Sequence, residues 1–166
     1  MSTINTYNDI NRNDKLEAKF QEIDNTIYTA EVTISSAEIV GTAAGDLGHA
    51  DGVELVAAPG AGKVLQFVDA VVIYDYDTAA YTGGAGDDLT VYINSVAVSP
   101  AIATADLITK AGDTVIALNS LSAADHVLGV NSNINLACTE VTQPGTAAGV
   151  IRVKTTYRVI TTGLKI

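Results

Sequence analysis

Two periods of hydrophobic positions divide the chain. Within residues 1–27 apolar side chains recur at helical spacing: Leu16, Phe20, Ile23 and Ile27 follow at steps of four, three and four, with Asn13 or Asp14 placed as an N-cap. The spacing predicts a short amphipathic helix over 14–24 inside an N-terminal arm spanning 1–27. A helix of about 11 residues is marginal alone in water, so the stripe needs a cover. That cover is either the chain's own body or the groove of a partner.

From residue 28 onward the texture becomes that of strands. Val, Ile, Thr and Tyr stand in short runs, broken by Gly, Asn, Asp and Pro every ten or so residues. The runs predict strands over 30–39, 52–57, 63–76, 89–94, 96–98, 104–109, 114–118, 127–130, 134–139 and 149–161, and no helical signal is read among them. Pro59-Gly60, Asn94-Ser95, Ala111-Gly112-Asp113, Asn131-Ser132-Asn133 and Pro144-Gly145 suit the turns between them. Many short strands with regular turns predict an all-β domain over 28–166: a jelly-roll-like β-sandwich with a short N-terminal helical arm.

Two of these strands bear on association. In 149–161, Ile151, Val153, Thr155, Tyr157 and Val159 point one way while Arg152, Lys154, Thr156 and Arg158 point the other, a core face and a basic face. In 64–76, Val64, Val68, Ala70, Val72 and Tyr74 are apolar, and so are Leu65, Phe67, Val71 and Ile73 on the alternate positions. A strand apolar on both faces must be covered on both, by another subunit or by a loop of the same chain.

Composition narrows the classes. Of 166 residues 48% are hydrophobic and 17% charged, too apolar for a disordered chain, and a chain of this length buries roughly 70% of the surface it exposes when unfolded. No run of 18 apolar residues spans a membrane, and the polar opening MSTINTYNDINRNDK lacks a signal-peptide core. The net charge is −10, from nine Lys and Arg against nineteen Asp and Glu, which disfavours nucleic acid as a partner. The charge is uneven: residues 28–140 hold fourteen acids and two bases, while 141–166 hold no acid and four bases.

Candidate chemistry is thin. AAPGAGKV (57–64) resembles a phosphate-binding loop, but Ala57 stands where the first glycine belongs, Val64 replaces the magnesium-binding hydroxyl, and a strand pattern follows; a hairpin-like turn is the better reading. The acidic loop 75–88 carries Asp75, Asp77, Asp87 and Asp88, oxygen ligands of the kind calcium prefers, in either a weak Ca²⁺ site or a solvated loop. The single cysteine, Cys138, lies in an apolar run that suggests burial, and His49 and His126 lie in no nucleophile motif. The expectation is no enzyme, no cofactor and no catalytic residue.

The segments EVTISSAEIVG (31–41), LVAAPGAGKVLQFVDAVVIYDY (55–76), AYTGGAGDDLTVYI (80–93) and GVIRVKTTYRVITTGL (149–164) together resemble the head decoration, or cement, proteins of tailed bacteriophages. The resemblance covers about four-fifths of the chain in order, with VAAPGAGKV and RVITTGL as its most telling pieces. It implies a jelly-roll-like virion protein made in the host cytoplasm, commonly trimeric on the capsid exterior. Its partners would be copies of itself and the major capsid protein. Leu16, Phe20, Ile23, Ile27, Arg152, Lys154 and Arg158 are then the candidate contacts to the capsid or to neighbouring subunits. The alternative from a different class is a tail or baseplate β-module that binds a host receptor or glycan; it requires a groove of polar and aromatic side chains.

Overall fold

A computed structural model of the chain describes residues 26–83, 87–121, 129–138, 141–142 and 148–162. The expected helix over 14–24, with Leu16, Phe20 and Ile23, lies outside these residues. The described chain runs β1 (Ile27–Ile34), a short helix α1 (Ser36–Val40), β2 (Val53–Val56), β3 (Lys63–Asp75), β4 (Thr82–Gly83), β5 (Asp88–Ile93), β6 (Val96–Ala97) and β7 (Ile102–Ala103). A 3₁₀ turn (Thr104–Asp106), β8 (Thr114–Asn119), β9 (Ile134–Ala137), β10 (Val141–Thr142) and β11 (Val150–Thr161) follow.

One antiparallel sheet has the order β1-β11-β3-β8 and the other β2-β9-β5-β6, while β4 and β10 form a small sheet of their own and β7 pairs beside β5. Setting aside β4, β7 and β10, the first strand pairs with the last (β1 with β11), the second with the second-last (β2 with β9), then β3 with β8 and β5 with β6. A long antiparallel hairpin wound into two facing sheets has this order, which is that of a jelly roll. The expected all-β sandwich is the observed fold.

The core lies between the sheets. Ile34, Leu65, Phe67, Val72, Ile151 and Val153 of the first sheet share one buried cluster with Leu55, Leu89, Val91, Ile93, Ile134 and Leu136 of the second. Each such side chain contributes roughly 1.5–3 kcal/mol on burial. In β3 the doubly apolar pattern has two causes. Its pairing with β11 shifts between Thr156 and Tyr157, where Thr156 faces Asp69 but Tyr157 faces Phe67, leaving Val68 as an extra residue. This bulge reverses the phase: Leu65 and Phe67 are buried before it, Ala70, Val72 and Tyr74 after it. After the bulge Val71 and Ile73 are left as a half-buried apolar pair on the outer side.

Three local expectations are corrected. The strand expected over 30–39 ends at Ile34 and gives way to α1, because Ser35 and Glu38 form a capping box: the Ser35 side chain accepts from the Glu38 N–H and the Glu38 carboxylate accepts from the Ser35 N–H. The strand expected over 104–109 is a 3₁₀ turn and loop. Leu107 and Ile108 are adjacent yet both fully buried, which an alternating strand does not allow. Of the strand expected over 127–130, the described residues 129 and 130 are not strand.

Gly52 closes the loop that leads into β2. It has φ +64, and a Cβ there would lie 2.2 Å from the Leu136 carbonyl oxygen, so both its conformation and its close approach to β9 require glycine. This contact holds residues 48–52 against the second sheet, where Asn135 Nδ2 donates to the Asp51 carbonyl at 2.7 Å and the Cys138 N–H donates to the Leu47 carbonyl at 2.8 Å.

Candidate functional site

The outer face of the first sheet gathers most of the described candidate residues. Its register sets Thr33, Arg152, Ile73 and Val115 in one row across β1, β11, β3 and β8, and Glu31, Lys154, Val71 and Ala117 in the next. The face is therefore split along its length: β1 and β11 carry charge, β3 and β8 carry apolar side chains.

The charged half is internally matched. Arg152 forks onto Asp75, with Nε donating to Oδ2 at 2.5 Å and Nη2 to Oδ1 at 3.1 Å. Its Nη1 lies 3.8 Å from Glu31, and Lys154 Nζ lies 3.4 Å from the same carboxylate. The guanidinium hydrogen bonds hold the Asp75 carboxyl below its ordinary range and raise Arg152 in turn. Asp75, read from the sequence as a calcium ligand, is thus committed to Arg152. Asp77 is exposed, and Asp87 and Asp88 are half-buried at the start of β5. Among the described residues no three His, Cys, Asp or Glu side chains are grouped to hold a metal ion.

The apolar half ends on an edge. Among the described residues β8 pairs with β3 alone, and its sequence TVIALN contains no charge and no proline. Edge strands usually carry such residues, because an open row of backbone N–H and C=O groups otherwise pairs with other chains. Val115 is 63% exposed on this strand, beside half-buried Ile73. The sequence pointed to Val71 and Ile73 through the two apolar parities of β3. Val115 and Ala117 were missed, because a six-residue strand does not reveal that it is an edge.

Arg158 and Ile27 lie together at the far end of the sheet. They are register partners, with Gln66 beyond Arg158. Ile27 is 54% exposed and belongs to β1, and Arg158 Nε is buried without a hydrogen-bond partner. Close by, Tyr28 stacks on Tyr157 with ring centroids 5.6 Å apart.

The outer face of the second sheet is recessed. Tyr92 of β5 stands half-buried opposite Asn135 of β9, and two clefts of about 480 and 350 Å³ meet at Tyr92 and Ala50. No sequence motif marked this groove, because its residues come from three separate loops and two strands.

No family model matches the chain, and no curated protein matches it. The chain is similar to a chain of the solved structure described as "Cyanophage Pam1 capsid asymmetric unit", at 16% identity and a TM-score of 0.45, over 80% of this chain and 84% of that one. A likeness of that depth carries no inference about what this chain binds.

Proposed function

We propose that the chain is a structural virion protein that decorates a phage capsid, binding across neighbouring capsomers and stabilising the shell, and that it assembles as a homotrimer through the apolar half of the first sheet. The observation that carries the reading is Val115 on the unguarded edge strand β8, continuous with Ala117, Val71 and Ile73. An apolar strip on an edge that no other described strand pairs with fits a second copy of the same edge or face, since main-chain pairing supplies affinity and the side chains supply register. The sequence resemblance to decoration proteins supports the same role. The N-terminal arm contributes the attachment to the major capsid protein; Ile27, the last residue of its predicted stripe, already belongs to β1.

Light scattering coupled to size exclusion tests the assembly step: the expected mass is three times the 17.1 kDa of one chain. A monomer at micromolar concentration sinks the trimer. Binding of the full chain, and of a truncation starting at Thr26, to particles lacking the protein tests attachment. The full chain should bind and the truncation should lose most of its binding while keeping its melting temperature. Equal binding by both places attachment on the β body.

A further inference from the structure

We infer that the groove on the outer face of the second sheet is a binding site for a neutral, hydroxyl-rich ligand, a short oligosaccharide. The inference goes beyond the assembly role, which uses the opposite sheet. The larger cleft, about 480 Å³, falls in the range of about 300–1,000 Å³ typical of small-molecule sites. Its described lining is almost wholly polar and uncharged: Asn94, Asn131, Asn133 and Asn135 line it together with Asp51 and Tyr92.

This set has a chemical meaning. A carboxamide both donates and accepts, as a sugar hydroxyl does, so four amides around one cleft can satisfy a ligand whose every polar group has both capacities. Asn135 donates through Nδ2 to the Asp51 carbonyl, and its Oδ1 is buried with no partner. The Asp51 bond fixes the Asn135 side chain as part of the lining. Tyr92 offers an apolar ring with a polar tip, suited to the C–H face of a pyranose. Among the described lining residues there is no Lys or Arg, and Asp51 is the only charge, so an anionic ligand would be repelled.

The walls are held in place. Asn133 Nδ2 donates to Glu54 at 3.0 Å, and Asn131 Oδ1 accepts from the Gly60 N–H at 2.8 Å. Asn94, Ser95 and Asn131 all sit at positive φ, 51°, 61° and 55°. Asn94 and Ser95 form the two-residue turn between β5 and β6, where glycine at the second position would be easier. A serine there sets a hydroxyl on the rim of the cleft, at some backbone strain. The smaller cleft continues from Tyr92 toward His49 and Asp88, giving the groove length for more than one ring.

The probes are four neutral trisaccharides, maltotriose, cellotriose, chitotriose and mannotriose, with 3′-sialyllactose as the anionic control. Each is titrated into the full chain and followed by the side-chain amide NMR signals. At least one neutral trisaccharide should give saturable shifts at Asn94, Asn133 and Asn135, with a Kd on the order of 0.1–10 mM. Tyr92→Ala should weaken it about tenfold or more. Because that variant removes a half-buried ring and can fail to fold, Asn94→Gly serves beside it: it keeps the turn, removes one amide, and should weaken binding several-fold with no loss of melting temperature. Thr29→Ala, exposed on β1 of the other sheet, should leave binding unchanged. No saturable shift from any neutral probe overturns the inference, as do tighter binding of the sialylated control and binding to Asn94→Gly as tight as to the parent. None of these outcomes depends on the oligomer or the capsid.

Discussion

The two sheets of the sandwich meet the same demand on their inner faces and diverge on their outer ones. Inside, both supply Ile, Leu and Val to one buried cluster, to which the first adds Phe67. Outside, the first sheet is a face of side chains in register rows, one half matched ions and one half aliphatic. The second is a groove whose floor is Tyr92 and whose walls are amide-bearing loops. A face of uncommitted aliphatic groups gains free energy only by large-area contact, which suits another macromolecule. A concave set of amides gains by directional hydrogen bonds, which suits a small ligand. A jelly roll can therefore separate assembly from recognition by assigning one outer face to each.

The largest effect should follow from charging the apolar half. Val115→Asp leaves the monomer's stability nearly unchanged, since Val115 is 63% exposed. Buried in a subunit contact, however, the new carboxylate would lack a partner, and self-association should weaken roughly 100-fold or more. Light scattering over a dilution series reads this directly. An undisturbed oligomer would move the subunit contact off this face.

Next comes the support of the groove. Gly52→Ala adds a methyl 2.2 Å from the Leu136 carbonyl at φ +64. The strain should lower stability by about 3 kcal/mol, a fall in Tm of about 6–12 °C. A variant that melts like the parent would show that the loop carrying Asp51 can be reseated freely.

Smaller again is the matched half of the first face. Asp75→Asn removes the fork from Arg152, on groups that are about a third exposed and therefore screened, so Tm at neutral pH should fall by no more than about 3 °C. The carboxyl's folded value is depressed by the Arg152 hydrogen bonds. Its contribution is then fully present above the ordinary value of 3.8 and is lost as pH falls through the lower folded value. Melting curves of parent and variant should converge in strong acid and also in high salt. A gap that stays constant across pH would assign the effect to packing.

The smallest effect lies in the interior that both faces share. Tyr74 is fully buried, and its hydroxyl has no partner among the described residues, so Tyr74→Phe should leave Tm unchanged at neutral pH or raise it by up to about 3 °C. Burial pushes the Tyr74 phenol up from 10.0 to about 12, with the neighbouring Tyr81 and Tyr76 adding to it. Because the folded value is the higher one, the neutral phenol's stability is complete below pH 10 and is lost as pH rises toward 12. The Phe variant should therefore resist alkali better than the parent in a melting series over that window.

Several features follow from local sequence alone. Alternation in 149–161 located β11 nearly to the residue, the short apolar run in 134–139 located β9, and the Asn94-Ser95 turn was legible from the turn chemistry of its residues. Short-range signals can also be present and lose to a longer apolar run: Ser35 and Glu38 spell a capping box, yet the run through 30–39 suggests a continuous strand. Other features had no local cause. The bulge at Val68 exists because β3 must pair with β11, a partner some ninety residues away, and it decides which of its apolar residues face the core. Pairing of Arg152 with Asp75 and Glu31 requires the first and last strands to be neighbours, which the jelly-roll order decides. The groove is the extreme case: Asp51, Tyr92, Asn94, Asn131 and Asn135 are scattered over some eighty residues and become one surface only when β9 is laid between β2 and β5. Periodicity determined most of the elements and, away from the bulge of β3, their inward faces, since burial acts on each strand by itself. The outward faces were decided by the sheet order, since a side chain's lateral neighbours there come from other strands.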